Sequence, residues 1–234
     1  MDAPRLSLAL SSVARGPWLA ALAPRDALRA VAEAWLPAGG RLITLDATAH
    51  GFRPRALNRS ARRDLAAALR RDELELAGID CFVPSDHFHR AATRGRAADA
   101  VADALGLAED LAARRVALRA GEGLPEDVAR ELSATAERRG VTLVAYGEHG
   151  PLHPAAIADA ADPAMLAAKL SGAAVVRWQW PVPVSGAEAS TAAPLIATLG
   201  VRAVDLDLSA AGEPEGQIGP ALDAWSRAAD PFAA

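Results

Sequence analysis

Cysteine and lysine are almost missing from this chain: Cys81 and Lys169 each stand alone in 234 residues. A lone cysteine excludes an internal disulfide and fits a reducing compartment. The basic residues are otherwise all arginine, a bias that matches the excess of alanine and points to codon usage, not to a function. Aromatic residues make up only 4% of the chain, so the core must be built from Leu, Val, Ile and Ala. That favours close-packed helices over an aromatic-rich β-sandwich. Positive charge is not in excess either. The formal net charge of −4 removes the global electrostatic case for nucleic acid as a partner. No apolar run reaches the length of a membrane span. Residues 6–12 are too short for a signal-peptide core followed by a cleavage site. A soluble, cytoplasmic protein with no membrane partner is the expectation. No GxGxxG follows the first apolar run, and no Walker loop, internal repeat, linker or low-complexity tail is found.

What the chain does have is alternation. Short apolar runs of strand character are followed by longer Ala/Leu/Arg stretches with helical spacing. Strands are expected at residues 6–10, 42–45, 74–83, 116–119, 141–146, 175–180 and 201–208, with 165–170 either a short sixth strand or the end of a helix. Helices are expected at 24–35, 60–71, 97–114, 125–139, 190–199 and 219–229. Pro24 is pre-set for a first helical turn, Ser60 is placed as an N-cap, and Gly140 is placed as a stop. Strands alternating with helices imply parallel βαβ units. Eight candidate strands in one domain of residues 1–234 point to a (β/α)8 TIM-type barrel, irregular or shortened in its second half. A doubly wound open sheet is the structural alternative.

Barrels of this kind carry their active sites where the strands end. Asp46 closes the second strand, so its carboxylate is expected at the barrel mouth. After the third strand comes Ser85-Asp86-His87-Phe88-His89, the densest group of metal-capable side chains in the sequence. On an extended segment His87 and His89 would share one side. Glu148, His149 and His153 follow the fifth strand, and Gly147 and Gly150 allow the backbone to turn and aim the first two inward. His153 precedes Pro154 and also fits a helix start. On the seventh strand Arg177 and Gln179 share one face, Trp178 and Trp180 the other. Gln179 or Trp180 at the strand end would hydrogen-bond or stack on a sugar, whereas Trp178 reads as core. The arginines between 53 and 71 are interrupted by Asp64 and read as a solvated face. Arg53 and Arg55 precede that helix and would reach a substrate phosphate. Cys81, inside an apolar strand, reads as a small core residue.

The segments Ile43-Thr44-Leu45-Asp46-Ala47-Thr48, Phe52-Arg53-Pro54-Arg55-Ala56-Leu57 and Ser60-Ala61-Arg62-Arg63-Asp64-Leu65, followed by Leu74-Glu75-Leu76-Ala77-Gly78-Ile79, carry a resemblance. Together with Ala112-Ala113-Arg114-Arg115-Val116 and Arg138-Arg139-Gly140-Val141-Thr142-Leu143, they resemble the sugar phosphate isomerase/epimerase proteins of the xylose-isomerase-like barrel superfamily. The resemblance covers roughly residues 40 to 145. It implies a divalent metal (Mg, Mn, Co or Zn) held by a Glu after strand five, an Asp after strand six, a His near strand seven and a Glu after strand eight. At these positions the sequence offers Tyr146, with Glu148 two residues on; approximately Ser171; Trp178-Gln179-Trp180; and Asp205 with Asp207. A metal-assisted barrel and a metal-free one therefore stand side by side.

The function this implies is a sugar isomerase or epimerase acting on a small sugar, keto-sugar or polyol. Its catalytic carboxylates would be Glu148 and Asp46. Substrate would be bound by His87, Arg53, Gln179 and Trp180, and metal by Asp207, His89 and His149. The alternative is a catalytically degenerate barrel that binds a ligand or partner. An endonuclease IV-like DNA-repair enzyme is the third reading, opposed by the acidic charge and by only five scattered histidines.

Overall fold

The computed structural model describes residues 5–10, 23–37, 39–119, 123–146, 152–159, 175–179 and 203–207. Eight strands are described, and helices alternate with the first five. In order they are β1 (Arg5–Ala9), α1 (Pro24–Trp35), β2 (Leu42–Asp46), a 3-10 turn (Pro54–Ala56), α2 (Arg59–Arg71), β3 (Glu75–Phe82), a one-turn α3 (Asp86–His89), α4 (Ala91–Asp110), β4 (Arg115–Arg119), α5 (Glu126–Arg138), β5 (Thr142–Tyr146), β6 (His153–Asp159), β7 (Val175–Gln179) and β8 (Ala203–Asp207). All strand pairings are parallel and follow chain order, and β8 pairs back onto β1. This is the TIM-type barrel that the alternation predicts.

Local sequence explains most of these elements. Pro24 opens α1, and Ala27, Leu28, Val31, Ala32 and Trp35 bury one face of it at helical spacing. The indole of Trp35 donates to the carbonyl of Leu42 at 3.0 Å and so ties α1 to β2. Its ring occupies the space a side chain on Gly40 would need: a Cβ there would lie 2.2 Å from it. The cap of α2 is Asn58, whose side chain accepts from the Ala61 amide; the expected cap, Ser60, lies inside the helix. Residues 91–96 begin α4 six residues before the position read from the sequence, and α5 ends at Gly140 in the left-handed region (φ 65°).

Period-two burial divides the strands between two environments. Leu8, Ile43, Leu45, Ile79, Cys81, Val116, Leu118, Leu143 and Ala145 join the hydrophobic cluster that includes Leu28, Trp35, Leu69, Val101, Leu105 and Leu132 of the helices. The alternate residues, Ser7, Thr44, Asp80, Ala117 and Val144, are equally buried but outside that cluster. They line the barrel interior.

One element differs from the sequence reading. The sixth strand is at His153–Asp159, not at residues 165–170, which lie outside the described residues. Alanine-rich and carrying Pro154, this segment reads locally as a helix start, and His153 was expected there. Pairing to β5 and β7 on both sides overrides that preference. Pro154, second in the strand, removes one ladder donor near its start.

Candidate functional site

The strands end at Asp46, Phe82, Arg119, Tyr146, Asp159, Gln179 and Asp207, with β1 ending at Ala9. Below the mouth, one part of the interior is polar. The hydroxyls of Ser7 and Thr44 are 3.1 Å apart, and Arg115 donates to the Thr44 hydroxyl at 3.3 Å. Arg115 is only 8% exposed, and Asp80, on the same face of β3 as Gly78, is fully buried. Gly78 is the device that admits Arg115: a Cβ at that position would lie 2.6 Å from Arg115 Cγ.

Asp46 is half-buried at the end of β2. Its Oδ1 accepts from both the amide (2.8 Å) and the hydroxyl (2.5 Å) of Thr48, so the carboxylate is held in one orientation as the chain leaves the strand. Arg119 at the end of β4 lies over the ring of Phe82, 4.3 Å from its centroid, and 5.6 Å from that of Tyr146. A cation held between two aromatic faces is fixed in position. This Phe82–Arg119–Tyr146 group was not singled out from the sequence. The signal was available: each ends a strand, by the same rule that singled out Asp46.

The histidines after β3 are arranged otherwise than expected. Residues 86–89 form one helical turn anchored by the fully buried Phe88, so His87 and His89 are two helical positions apart and do not share a side. His87 is 45% exposed, with Nε2 4.0 Å from Asp86. His89 Nε2 donates to the carbonyl of Gly123 at 2.9 Å, which ties this turn to the entry of α5 and leaves only Nδ1 to bind anything else. Among the described residues no group of three or more His, Cys, Asp or Glu side chains is placed to hold a metal ion.

Arg53 is exposed, and its Nε donates to the carbonyl of Thr48 at 3.0 Å. Arg55 is taken up by Asp103 at 2.6 Å, which raises its pKa further, and lies 3.9 Å from Asp99. Arg62, inside α2, bonds the carbonyls of Leu57 and Pro54 and the carboxylate of Asp110. Cys81 is buried, and burial first, then the charges of Asp46 and Asp80, push its thiol up to about 12. It is a core residue with no nucleophilic character at neutral pH.

On the other side of the barrel the strand register is informative. Asp159 pairs with Gln179, and Gln179 pairs with Asp207, so the last residues of β6, β7 and β8 form one row. Ser7, Asp205 and Arg177 form a deeper row across β1, β8 and β7. The revised position of the sixth strand puts Asp159 at its end, where the sequence reading had approximately Ser171. Glu148, His149 and Trp180 lie outside the described residues.

No family model and no curated protein matches the sequence. Solved structures do match the fold. D-psicose 3-epimerase from Clostridium cellulolyticum superposes with a TM-score of 0.67 at 10% identity, over 97% of this chain and 99% of that one. A sugar phosphate isomerase/epimerase from Parabacteroides distasonis gives 0.63 at 12% identity, over 100% and 96%. A xylose isomerase-like TIM barrel protein from Mycobacterium smegmatis, in complex with magnesium, gives 0.62 at 14% identity, over 96% and 98%. The chain therefore shares the barrel fold of these proteins at 10–14% sequence identity.

Proposed function

We propose that this barrel is a sugar isomerase or epimerase that shifts a proton on a small sugar or keto-sugar. The observation that carries the reading is the row Asp159–Gln179–Asp207 at the ends of three adjacent strands. Similarly folded proteins are epimerases of psicose and of ribulose, which supports the choice of substrate class. Asp159 and Asp207, with Gln179 between them, would hold a divalent cation, with His149 as a further ligand and His89 restricted to Nδ1. Such a cation, when bound, polarises a carbonyl and its neighbouring hydroxyl.

The remaining work falls to the chain's own residues. Glu148 and Asp46 are the carboxylates that handle the proton. The proton leaves the carbon beside the carbonyl. It returns to the adjacent carbon in an isomerisation, or to the opposite face of the same carbon in an epimerisation. Asp46 suits this role because Thr48 fixes Oδ1, leaving Oδ2 to meet a substrate hydroxyl in a set orientation. Gln179, Trp180 and His87 would hydrogen-bond or stack on the sugar, and Arg53 would meet any phosphate it carried.

The test is turnover on a panel of ketoses and aldoses with Mg2+, Mn2+ or Co2+. Activity that stops on chelation and in Asp207→Asn is the expected result. No turnover on any member of the panel overturns the reading. Gln179 favours a second reading, since the resemblance puts an imidazole at that strand: a barrel that binds sugar without converting it. Saturable sugar binding with no turnover in the same assay selects that one.

A further inference from the structure

We propose that the cleft between the 47–55 connection and α4 is a second binding site, off the barrel axis, for a small carboxylate with a compact apolar body. The cleft encloses about 300 Å³. That is the lower end of the range of roughly 300–1,000 Å³ used for small-molecule sites. Ala47, Pro54, Cys81, Phe82, Val83 and Ala100 make its walls largely apolar. Its polar groups are Thr48, Arg53, Arg55 and Asp103.

The charges decide what it takes. Arg55 and Asp103 neutralise each other through the 2.6 Å contact, with Asp99 beyond them at 3.9 Å. Asp46 stands two residues before Thr48 and is bound to it through Oδ1, and its charge is felt at Cys81. Among the residues that line the cleft, Arg53 is then the remaining charge. Its Nε is fixed on the Thr48 carbonyl, and its two Nη nitrogens have no protein partner among the described residues. A guanidinium anchored by Nε presents those nitrogens as a planar fork, the geometry a carboxylate fills with two parallel hydrogen bonds. The space beyond that fork is apolar and too small for a nucleotide, but it suits a single ring or a short branched chain. The site shares Arg53 with the proposed sugar site but none of the residues that would hold metal or move the proton.

Benzoate is the probe, with benzamide as its neutral counterpart of the same shape. Both are titrated into the full chain by calorimetry and by protein-observed NMR. Benzoate is expected to bind saturably and at least tenfold more tightly than benzamide. Arg53→Gln, at an exposed position, is expected to weaken benzoate about tenfold and to erase the difference between the two probes. Ala100→Leu fills the cleft and is expected to abolish binding, with the far-UV circular dichroism unchanged. Asp207→Asn is expected to leave benzoate binding intact, so failure at the barrel mouth and failure here are separable. The proposal is overturned by the absence of saturable benzoate binding, by equal affinity for benzamide, or by benzoate binding that survives Ala100→Leu.

Discussion

Gly78 and Arg115 occupy one volume: the Cβ that Gly78 lacks would lie 2.6 Å from Cγ and 2.8 Å from Nε of Arg115. These are stem atoms of a buried side chain, not the free end of a flexible one, so they have no room to retreat. Gly78→Ala is expected to destabilise the protein by about 1–3 kcal/mol through overpacking. In the Arg115→Ala background the obstructing stem is gone and that cost should vanish. Urea unfolding of the two single variants and the double variant measures the coupling, expected at about 1–3 kcal/mol. Strict additivity would show that the two residues do not compete for space.

Cys81 makes stability depend on alkaline pH. Its thiol titrates near 9.0 when unfolded and is pushed up to about 12 in the fold, chiefly by burial. Below pH 9 both states hold the proton and the thiol has no influence. Between 9 and 12 only the unfolded state releases it, so stability falls as pH rises, by up to about 1.4 kcal/mol per pH unit. Unfolding midpoints of the protein and of Cys81→Ala, followed from pH 8 to 11, should diverge in slope above pH 9. Parallel slopes would count against the burial of this thiol.

The cap of α2 gives a smaller effect. Asn58→Ala removes the side-chain acceptor of the Ala61 amide and should cost about 1 kcal/mol. Ser60→Ala, inside the first turn, should cost little by comparison. Thermal unfolding of the two variants ranks them, and the reverse order would put the cap at residue 60.

Gln179 stands between Asp159 and Asp207 in the β6–β8 row. Gln179→His replaces an amide with an imidazole, a stronger ligand for Co2+ and Zn2+. Calorimetric titration is expected to show Co2+ affinity raised by about tenfold, or ~1.4 kcal/mol. The gain should disappear when Asp207→Asn is added. An unchanged affinity would place the metal ligands elsewhere.

The first five strands and the helices between them were legible in the sequence because local signals agree there. Pro24 opens a helix, Gly140 stops one, and Ile43, Leu45, Ile79 and Val116 alternate with residues of the other face. The sixth strand was hidden because Ala155, Ala156 and Ala158 have no β preference of their own, and the segment is a strand through its neighbours alone. That shift moved the sixth strand end from approximately Ser171 to Asp159. His87 and His89 were seen as a pair, but their spacing has meaning only once the backbone is known, and a helical turn separates them. Arg119 escaped notice because its value at the mouth comes from Phe82 and Tyr146, which are distant in sequence. Asp46 was found for the opposite reason, since its position at a strand end is visible in the chain itself.

Arg62 binds the carbonyls of Pro54 and Leu57 with one edge of its guanidinium and Asp110 of α4 with the other. It thereby rivets the connection after β2 to two helices at once. This flank of the mouth is an anvil: a molecule arriving there meets a surface already set in its final shape. The positions of Thr48 and Arg53 are then part of the resting protein and need not be assembled by the ligand. Binding on this side has little ordering entropy left to overcome.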